Sequence, residues 1–515
     1  MKNENLAYKY YTNLFLNYNS SVLGIIYVVT SLVLLQLRGR FRYGGVLAGD
    51  APGYYFFDFS WPEGLLGSFR TFIYPLFIEL LKQTNFSFNM LPILQTGMYL
   101  IVIWLIFTEI KKRIPSIILI PFLFAASQGP HIGSFGDIQN EAITLVFWLL
   151  GLFLLLRSRR LIKGDLIAVL AGVFFSLSIL ERGAFLGPTL VVVVGYFLFR
   201  SKSSKSTILQ KKGLIVVSTI TIIISVFILV KFVTINKPSL SNYSGALLVG
   251  HAALMESKTD FQKLGLKNST GKLWVDEARK YLDQPCKDLR HYELSLHKIR
   301  NSYLLENQCF LLIMMGTWTA AIHDITDKWP LENNEPIEKQ IQSWKYSWPN
   351  NQSISLATYY SENWDLNIDR ELMTYSVGVL TQNWKQYLGW LVSSTFFDFI
   401  YYLKWPEIIT RHFSVSFIDS IFLTIVWSLI CTYILYKRNK LSETEKITKS
   451  KKIVYLALPL IFMLSIYASI SPVAYSVARY IVIWFPILFL IVPISTYYIS
   501  KDLLYSHKIK TDKKV

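Results

Sequence analysis

The chain has 515 residues, of which 52% are hydrophobic and 17% are charged, and its formal net charge at pH 7 is +18. Soluble domains carry about 25% charged residues and rarely contain repeated apolar blocks long enough to cross ~30 Å of hydrocarbon. The composition therefore excludes an ordinary soluble protein. The positions of the basic residues, given below, exclude a nucleic-acid-binding surface.

Apolar blocks follow one another along the chain and predict about ten transmembrane helices, because only helices satisfy their backbone groups within one segment in lipid. The expected fold class is an all-α polytopic membrane protein. No small-residue cleavage signature follows the first block, which is therefore interpreted as a retained signal-anchor. The predicted spans are residues 22–37, 91–108, 114–128, 141–156, 166–181, 184–199, 214–235, 414–436, 452–470 and 480–499.

The basic residues predict the orientation of these spans. Half of the 52 Lys and Arg residues lie near the two termini or in alternate loops, whereas acidic and basic residues are balanced between positions 236 and 413. The positive-inside rule then places both termini and the basic loops in the cytoplasm. Arg38, Arg40 and Arg42 oppose this orientation, but the later loops outweigh them. The basic segments are the N-terminus, 111–113, 157–163, 200–212, 437–452 and the tail from 501.

Two outer segments are too long to be simple connectors. The first loop, residues 38–90, contains an apolar stretch that predicts one or two helices in the membrane interface. The second, rich in Trp, Tyr, Asn and Lys, predicts a small extracytoplasmic domain with helices near 272–282 and 292–306. The predicted division is therefore an N-terminal transmembrane module (1–235), a loop domain (236–413), and C-terminal spans with a basic tail (414–515).

Two apolar pieces of the loop domain are candidates for additional spans. Residues 310–322 are too few to span comfortably, and residues 387–403 contain Asp398. Interfacial or re-entrant helices are favoured for both, because spanning helices conflict with the charge rule or place part of the loop inside the cell. Cys286 and Cys309 either pair in an oxidising compartment or remain free thiols.

Ionisable side chains at the predicted outer ends of the spans are the candidates for function, because charge near lipid is costly and is usually retained for a partner or a reaction. Each also has a structural interpretation: Asp50 as a turn residue, Asp137 and Glu141 as groups favoured at a helix N-terminus, and Arg479 as an interfacial side chain. The candidates are Asp50 and Asp58; His131, Asp137 and Glu141; Glu181 and Arg182; and Arg479 with Tyr480.

The order of these motifs resembles the GT-C superfamily of membrane glycosyltransferases, which includes protein O-mannosyltransferases and aminoarabinose transferases. The resemblance extends from the first span to about the sixth and is weaker over the last two. It rests on the acid and tyrosine of the first loop (Asp50 to Tyr54), Arg-Thr-Phe-Ile-Tyr-Pro-Leu-Phe from Arg70, the acid opening span four (Glu141), Leu-Glu-Arg-Gly around Arg182, and Ala-Arg-Tyr at Arg479.

The resemblance implies an inverting transferase that moves a sugar from a polyprenyl-phosphate donor to a lipid, glycan or protein acceptor. Its site would face outward in a bacterial cytoplasmic (inner) membrane, and nucleic acid is not a partner. An acceptor hydroxyl must lose a proton as it attacks the anomeric carbon, and Asp50 is the expected base. Tyr54, Tyr480 and His131 are expected to line the substrate.

The phosphate leaving group needs a cation to balance its developing charge. Arg479 and Arg182 are the candidates, with Arg70 a weaker one. A divalent cation, Mg²⁺ or Mn²⁺, is the alternative, because some superfamily members need a metal and others do not. Carboxylate oxygens suit such an ion, and Asp137 and Glu141 are its candidate ligands together with Asp50, with Asp58 as further acidic support.

Two departures from the superfamily pattern reduce the range of expected acceptors. Two other functions also stay open. The Trp-Trp-Asp-Tyr-Gly signature of oligosaccharyltransferases is absent, with only Asn363-Trp364-Asp365 resembling it, and the first loop lacks the Asp-Glu pair of protein mannosyltransferases. Asn-linked transfer and protein O-mannosylation are therefore disfavoured. An O-antigen-type polymerase or ligase would depend more on arginine, and a transporter or flippase would show mid-membrane charges and symmetric broken helices.

Overall fold

A computed structural model describes residues 20–37, 51–68, 71–128, 140–159, 161, 164–198, 206–237, 240, 244–280, 366–392, 417–437, 449–470 and 484–512, with isolated positions between 313 and 324. Within these ranges every regular element is helical and no strand occurs. The all-α class predicted from the sequence is confirmed for this part of the chain.

The helices coincide closely with the predicted apolar blocks. Short 3₁₀ turns, Phe88–Met90, Ser116–Leu119 and Gly183–Phe185, precede three of them. The helices are α1 Ser20–Leu37, α2 Ala51–Tyr55, α3 Glu63–Gly67, α4 Ile73–Gln83, α5 Leu91–Ile110, α6 Ile120–Gln128, α7 Glu141–Ser158, α8 Asp165–Glu181, α9 Leu186–Leu198, α10 Ser206–Ile235, α11 Ser244–Met255, α12 Leu366–Gln382, α13 Phe417–Lys437, α14 Lys449–Ile470 and α15 Phe485–Asp512.

By length and composition the protein is a helical membrane protein. Among the described residues, 4 helices are long and apolar enough to cross a bilayer: Phe88–Ile110, Glu141–Ser158, Gln210–Ile235 and Pro486–Leu504. Several of the other predicted spans are shorter apolar helices in the structure. They are Ser21–Leu37, Ser116–Ser127, Gly183–Phe197, Ile421–Lys437 and Tyr455–Ile466.

An aromatic cluster lies at the centre of the helix bundle. The indole of Trp148 on α7 meets that of Trp484 edge-on, with ring centroids 4.9 Å apart. Phe175 on α8, Phe185 before α9 and Phe462 on α14 complete the contacts around these two rings. Rings in such edge-on contacts add to the stabilisation from apolar burial. The cluster therefore joins helices from the N-terminal and C-terminal parts of the chain.

Helix α7 packs between α5 and α8, and α8 packs in turn against α10. Gly172 on α8 allows this second approach, because a Cβ at that position would lie 2.6 Å from the Cβ of Thr219. On the other side, α15 packs against α6, α13 and α14. Exposed apolar side chains such as Ile222, Val226 and Phe232 follow the outside of α10, as expected for a surface that faces lipid.

A second apolar core lies in the segment between α10 and α13. We call this part the loop module, meaning residues 244–280, 366–392 and the described positions between 313 and 324. Helices α11 and α12 pack together, and Trp274 and Tyr375 are buried in one apolar core with residues of both helices. Ile313, Met314 and Trp318 are buried in the same core. The described residues of the apolar piece 310–322 thus pack inside the loop module.

Polar contacts hold the loop module together and join it to α10. Glu256 accepts hydrogen bonds from Arg279 and from the hydroxyl of Tyr375. Lys237, just after α10, forms an ion pair with the fully buried Asp369 of α12. This ion pair fixes the loop module to the end of a long apolar helix.

Described residues of several basic segments lie at one end of the bundle, which we call the basic end. Lys212 Nζ donates to the carbonyl oxygen of Ser158 at 2.6 Å, and Lys211 forms an ion pair with Asp165 at the same distance. Arg113 and Arg159 line one cavity beside them. The end of α7 and the starts of α8 and α10 therefore share a side of the bundle.

Candidate functional site

A buried charged cluster lies at the opposite end of α7 and α8. Arg182 Nη2 donates to Glu141 Oε1 at 2.9 Å, and Arg182 Nε donates to Asn140 Oδ1 at 2.8 Å. Asn140 Nδ2 donates in turn to Glu181 Oε1 at 2.8 Å. We call these four residues the Glu141–Arg182 cluster. The Glu141 side chain is 1% exposed and that of Arg182 is 14% exposed, so the ion pair is largely removed from solvent.

Helix ends explain how these side chains meet. Glu141 is the first residue of α7, where the positive end of the helix dipole favours a carboxylate. Asn140 precedes it and makes no capping bond with its side chain, which instead bridges Arg182 and Glu181. Because α7 and α8 are antiparallel neighbours, the last residue of α8 lies beside the first residue of α7.

Glu181 lies at the unfavourable end of its helix for a carboxylate. Hydrogen bonds from Asn140 and from the backbone N–H of Tyr74, the latter at 3.3 Å, offset this position. The chain leaves helical geometry at Arg182, whose backbone is extended with φ −146° and ψ 111°. That change of direction turns the guanidinium back toward α7.

The first loop lies against the Glu141–Arg182 cluster. Tyr74 on α4, which binds Glu181 through its N–H, also contacts Tyr54 on α2 edge-on, with ring centroids 5.2 Å apart. Tyr54 is 2% exposed and Tyr74 is 0% exposed. The Tyr74 hydroxyl lies 3.5 Å from Gln95 Oε1 on α5. Helix α2, which begins one residue after Asp50 in the sequence, is thus packed near the charged cluster.

Asp58 is exposed and lies in a turn of the first loop. Its carboxylate accepts the side-chain hydroxyl of Ser60 at 2.6 Å and the Ser60 N–H at 2.8 Å. These hydrogen bonds lower the pKa of Asp58 below its usual value, because they favour the ionised form. They give Asp58 the role of a turn residue.

Glu141, Arg182 and Tyr54 are the sequence-predicted residues that meet at or beside the cluster, and Glu181 joins them. Within the described ranges no group of three or more His, Cys, Asp or Glu side chains is arranged to hold a metal. Other predicted residues lie outside those ranges. They are Asp50, Arg70, His131, Asp137, Arg479 and Tyr480, together with Cys286 and Cys309.

Three residues of this site were not predicted as site residues from the sequence. Asn140 stands at a predicted helix start, where an amide is usually interpreted as a cap. Tyr74 acts partly through its backbone N–H, which no sequence pattern shows. Gln95 carried a usable signal, because a polar side chain within a predicted span is costly unless it has a partner.

Hydrogen bonds hold the charged side chains of the cluster in place. Arg182 is held by two acceptors from α7 and its N-cap residue, and Glu181 is held by two donors. Groups held in this way need little reorganisation when charge develops on a substrate. The arrangement suits recognition of a charged group at the end of the bundle.

Comparison with known proteins gives no independent indication of what this site does. No protein-family model, no curated protein and no solved structure matches the chain. Function is therefore inferred from the charged residues of the site and from the motifs of the sequence.

Proposed function

We propose that the protein is a GT-C-type glycosyltransferase that moves a sugar from a polyprenyl-phosphate donor to a lipid, glycan or protein acceptor. The proposal includes about ten spans, cytoplasmic termini, a bacterial inner membrane and an extracytoplasmic site. The observation that supports it best is the Glu141–Arg182 cluster. In that cluster, residues from separate motifs of the resemblance are buried in direct contact at the end of the bundle opposite the basic loops.

Burial of these charges supports a functional role. Removing a guanidinium and a carboxylate from water carries a desolvation cost that their attraction only partly repays. Ionisable residues at such positions are commonly associated with substrates or ions. A donor carried by a lipid would reach this end of the bundle from the bilayer, and its phosphate would need a cation.

Arg182 is the proposed cation for that phosphate. Glu141 Oε1 is already bound to Arg182, which favours a positioning role for Glu141 over metal ligation. Asp50 remains the proposed base. In the proposed step the acceptor oxygen bonds to the anomeric carbon as the bond from that carbon to the phosphate oxygen breaks. The hydroxyl proton passes to Asp50, and the electron pair leaves with the lipid phosphate beside Arg182.

The test uses membranes from cells that express the full chain, supplied with radiolabelled polyprenyl-phosphate hexoses and pentoses. Label is followed into the lipid, glycan and protein fractions. Asp50→Asn is expected to lower the transfer rate about 10²–10⁴-fold, the usual contribution of a general base. The matched control is Glu63→Gln, which neutralises an exposed acid of the same loop and is expected to leave transfer unchanged.

Three results would contradict the proposal. Transfer by the wild-type membranes that does not exceed that of vector membranes, across the whole donor panel, would remove the activity itself. Equal rates for Asp50→Asn and the wild type would remove the carboxylate base. If Arg182→Gln abolished transfer while Asp50→Asn did not, the arginine-dependent polymerase or ligase would be the better assignment.

A further inference from the structure

The segment between α2 and α3 presents aromatic side chains at the protein surface. We call residues 56–61 the aromatic turn. Phe56 is 65% exposed, Phe59 is 37% exposed and Trp61 is 61% exposed. Exposed apolar side chains that are grouped on a surface mark places where a partner binds. Because these three rings belong to one short turn, they form a candidate binding surface.

Hydrogen bonds hold the aromatic turn in one conformation. Asp58 accepts the Ser60 N–H at 2.8 Å and the Ser60 hydroxyl at 2.6 Å. The Ser60 carbonyl oxygen accepts the N–H of Leu65 on α3 at 2.8 Å. A Cβ at Gly64 would overlap the Asp58 carboxylate, so the glycine allows α3 to pack against the turn. Rings carried on a fixed backbone lose little conformational entropy when a ligand binds them.

Ring contacts orient the aromatic side chains further. The rings of Phe57 and Phe59 meet edge-on, with centroids 4.8 Å apart. The ring of Phe56 meets that of Tyr55 edge-on at 5.0 Å. Lys82 on α4 holds Tyr55 in turn, because its Nζ lies 4.2 Å from the Tyr55 ring centroid and donates to the Tyr55 carbonyl oxygen. The aromatic turn is therefore attached to α4.

The aromatic turn begins beside the Glu141–Arg182 cluster. Tyr54 contacts Tyr74, whose N–H binds Glu181 of the cluster. Phe56 follows Tyr54 by two residues, and two residues span at most about 7 Å. A ligand that contacts Phe56 therefore starts close to the proposed transfer site.

The charge of the aromatic turn disfavours a lipid surface or an anion as its partner. Hydrogen bonds from Ser60 lower the pKa of Asp58, so its carboxylate is ionised at neutral pH. An ionised carboxylate is costly to insert into hydrocarbon, and it repels anionic ligands. Residues 56–62 also contain no Lys or Arg, the residues with which interfacial segments attract lipid phosphates.

A sugar ring matches both the exposed aromatic rings and the carboxylate. Its C–H groups carry slight positive charge and stack on the negative faces of aromatic rings. Its hydroxyl groups donate charge-assisted hydrogen bonds to carboxylates. A carboxylate has about four lone-pair positions. Ser60 donates to Asp58 twice, so Asp58 can accept further donors.

We propose that the aromatic turn binds the carbohydrate of a glycan acceptor, with sugar rings against Trp61 and its neighbouring exposed rings and a hydroxyl donated to Asp58. The inference rests on the proposed transfer function, because it selects the glycan among the proposed acceptors. Binding itself needs no donor, and it is therefore measured separately from transfer.

The test uses the purified full-length protein in a detergent without a sugar headgroup. The protein is titrated by calorimetry with neutral oligosaccharides built from glucose, galactose, mannose or N-acetylglucosamine. At least one of them is expected to bind, and Trp61→Ala is expected to weaken its affinity about three- to tenfold, the range for one aromatic contact. Absence of binding across the panel, or unchanged affinity in Trp61→Ala, would overturn the proposal.

Trp384→Ala is the matched control, because Trp384 in the loop module is a tryptophan of similar exposure, 56%. It is expected to retain the wild-type affinity. If both variants lost affinity equally, the contribution of the aromatic turn would not be specific and the proposal would fail.

Hydroxyl-radical footprinting of the wild-type protein in lipid nanodiscs does not depend on a variant that folds. The oligosaccharide that binds most tightly is expected to protect Phe56, Phe59 and Trp61 from oxidation but not Trp384. A phospholipid that carries a diazirine in one acyl chain is photolysed in the same nanodiscs. Adducts of this lipid on the three rings, without protection by the sugar, would show that the turn inserts into the bilayer and would overturn the proposal.

The same oligosaccharide is then added to the membrane transfer assay. It is expected to become labelled, and Trp61→Ala is expected to raise its KM about three- to tenfold while kcat stays unchanged. If endogenous acceptors were labelled but this oligosaccharide was not, the turn would not be an acceptor site. Lack of label in every fraction would contradict the proposed transfer function, which the donor-free titration does not require.

Discussion

The two ends of the helix bundle carry charge in different ways. At one end, the charges of Arg182, Glu141 and Glu181 are buried and bound to one another or to nearby protein groups. At the other end, Arg113 and Arg159 line a common cavity, and Lys211 forms an ion pair with Asp165 in which both side chains are exposed. Buried charges that are paired within the protein fix the geometry of side chains, whereas exposed pairs are screened by solvent. The same residue types are therefore held in a buried network at one end and form a solvent-exposed pair at the other.

The sharpest way to break this comparison is Arg182→Gln. If Arg182 balances the leaving phosphate, transfer of label in membranes is expected to fall about 10²–10³-fold, the usual effect of losing one preorganised electrostatic group. Arg157→Gln, at the basic end, is expected to have no effect on transfer. Similar rates for the two variants would show that the buried arginine has no special part in the reaction.

Glu141→Ala tests how much the buried ion pair contributes to the stability of the protein. It leaves the buried guanidinium of Arg182 without its carboxylate, and loss of one partner from a buried pair costs about 3–5 kcal/mol. The free energy of unfolding is measured by denaturant titration in detergent micelles. A change below about 1 kcal/mol would mean that solvent already screens the pair.

The loop module is expected to lose stability as the pH falls. Burial lowers the pKa of His251 to about 3, and its ring lies 4.2 Å from that of Trp390. The unfolded histidine, with a pKa of about 6.5, binds a proton first as the pH falls, so stability is lost from about pH 6.5 downward. At pH 5 the expected loss is about 2 kcal/mol relative to pH 7.5.

Unfolding of the loop module is followed by tryptophan fluorescence at a series of pH values. His251→Phe removes the titrating group and is expected to flatten the dependence between pH 5 and 7. If the variant and the wild type lost equal stability over that range, another group would be responsible for the dependence.

The smallest expected effect comes from Asp165→Ala at the basic end. It breaks the ion pair with Lys211, but both side chains are exposed, by 44% and 66%. Exposed pairs contribute only ~0.2–1 kcal/mol, and salt screens them. The same denaturant titration is used as for Glu141→Ala. If Asp165→Ala lowered the free energy of unfolding as much as Glu141→Ala does, the two ends of the bundle would not differ in this respect.

Much of the fold could be predicted because hydropathy reports directly on apolar helices. The predicted span 141–156 corresponds to Glu141–Ser158, and the predicted span 166–181 to Asp165–Glu181. For residues 310–322 hydropathy favoured an interfacial or re-entrant helix but did not show the partners, and the described apolar side chains of this piece pack with Trp274 in the loop module. An apolar run does not show whether its partners are lipid or other side chains.

Only the ionisable residues of the site could be predicted from the sequence. Glu141 and Arg182 were identified because ionisable groups at span ends are costly. Asn140 was missed, since an amide before a helix looks like a cap. The cavity at the basic end was missed because Tyr196 and Tyr498 follow the ordinary pattern of interfacial aromatics, and only their placement around Arg159 makes them part of one wall.

The ion pair between Lys237 and Asp369 has a mechanical consequence. It anchors the loop module to the end of α10, which packs closely on α8 at Gly172. A displacement of the loop module would therefore act on α10 and, through the close packing at Gly172, on α8, the helix that ends at Glu181.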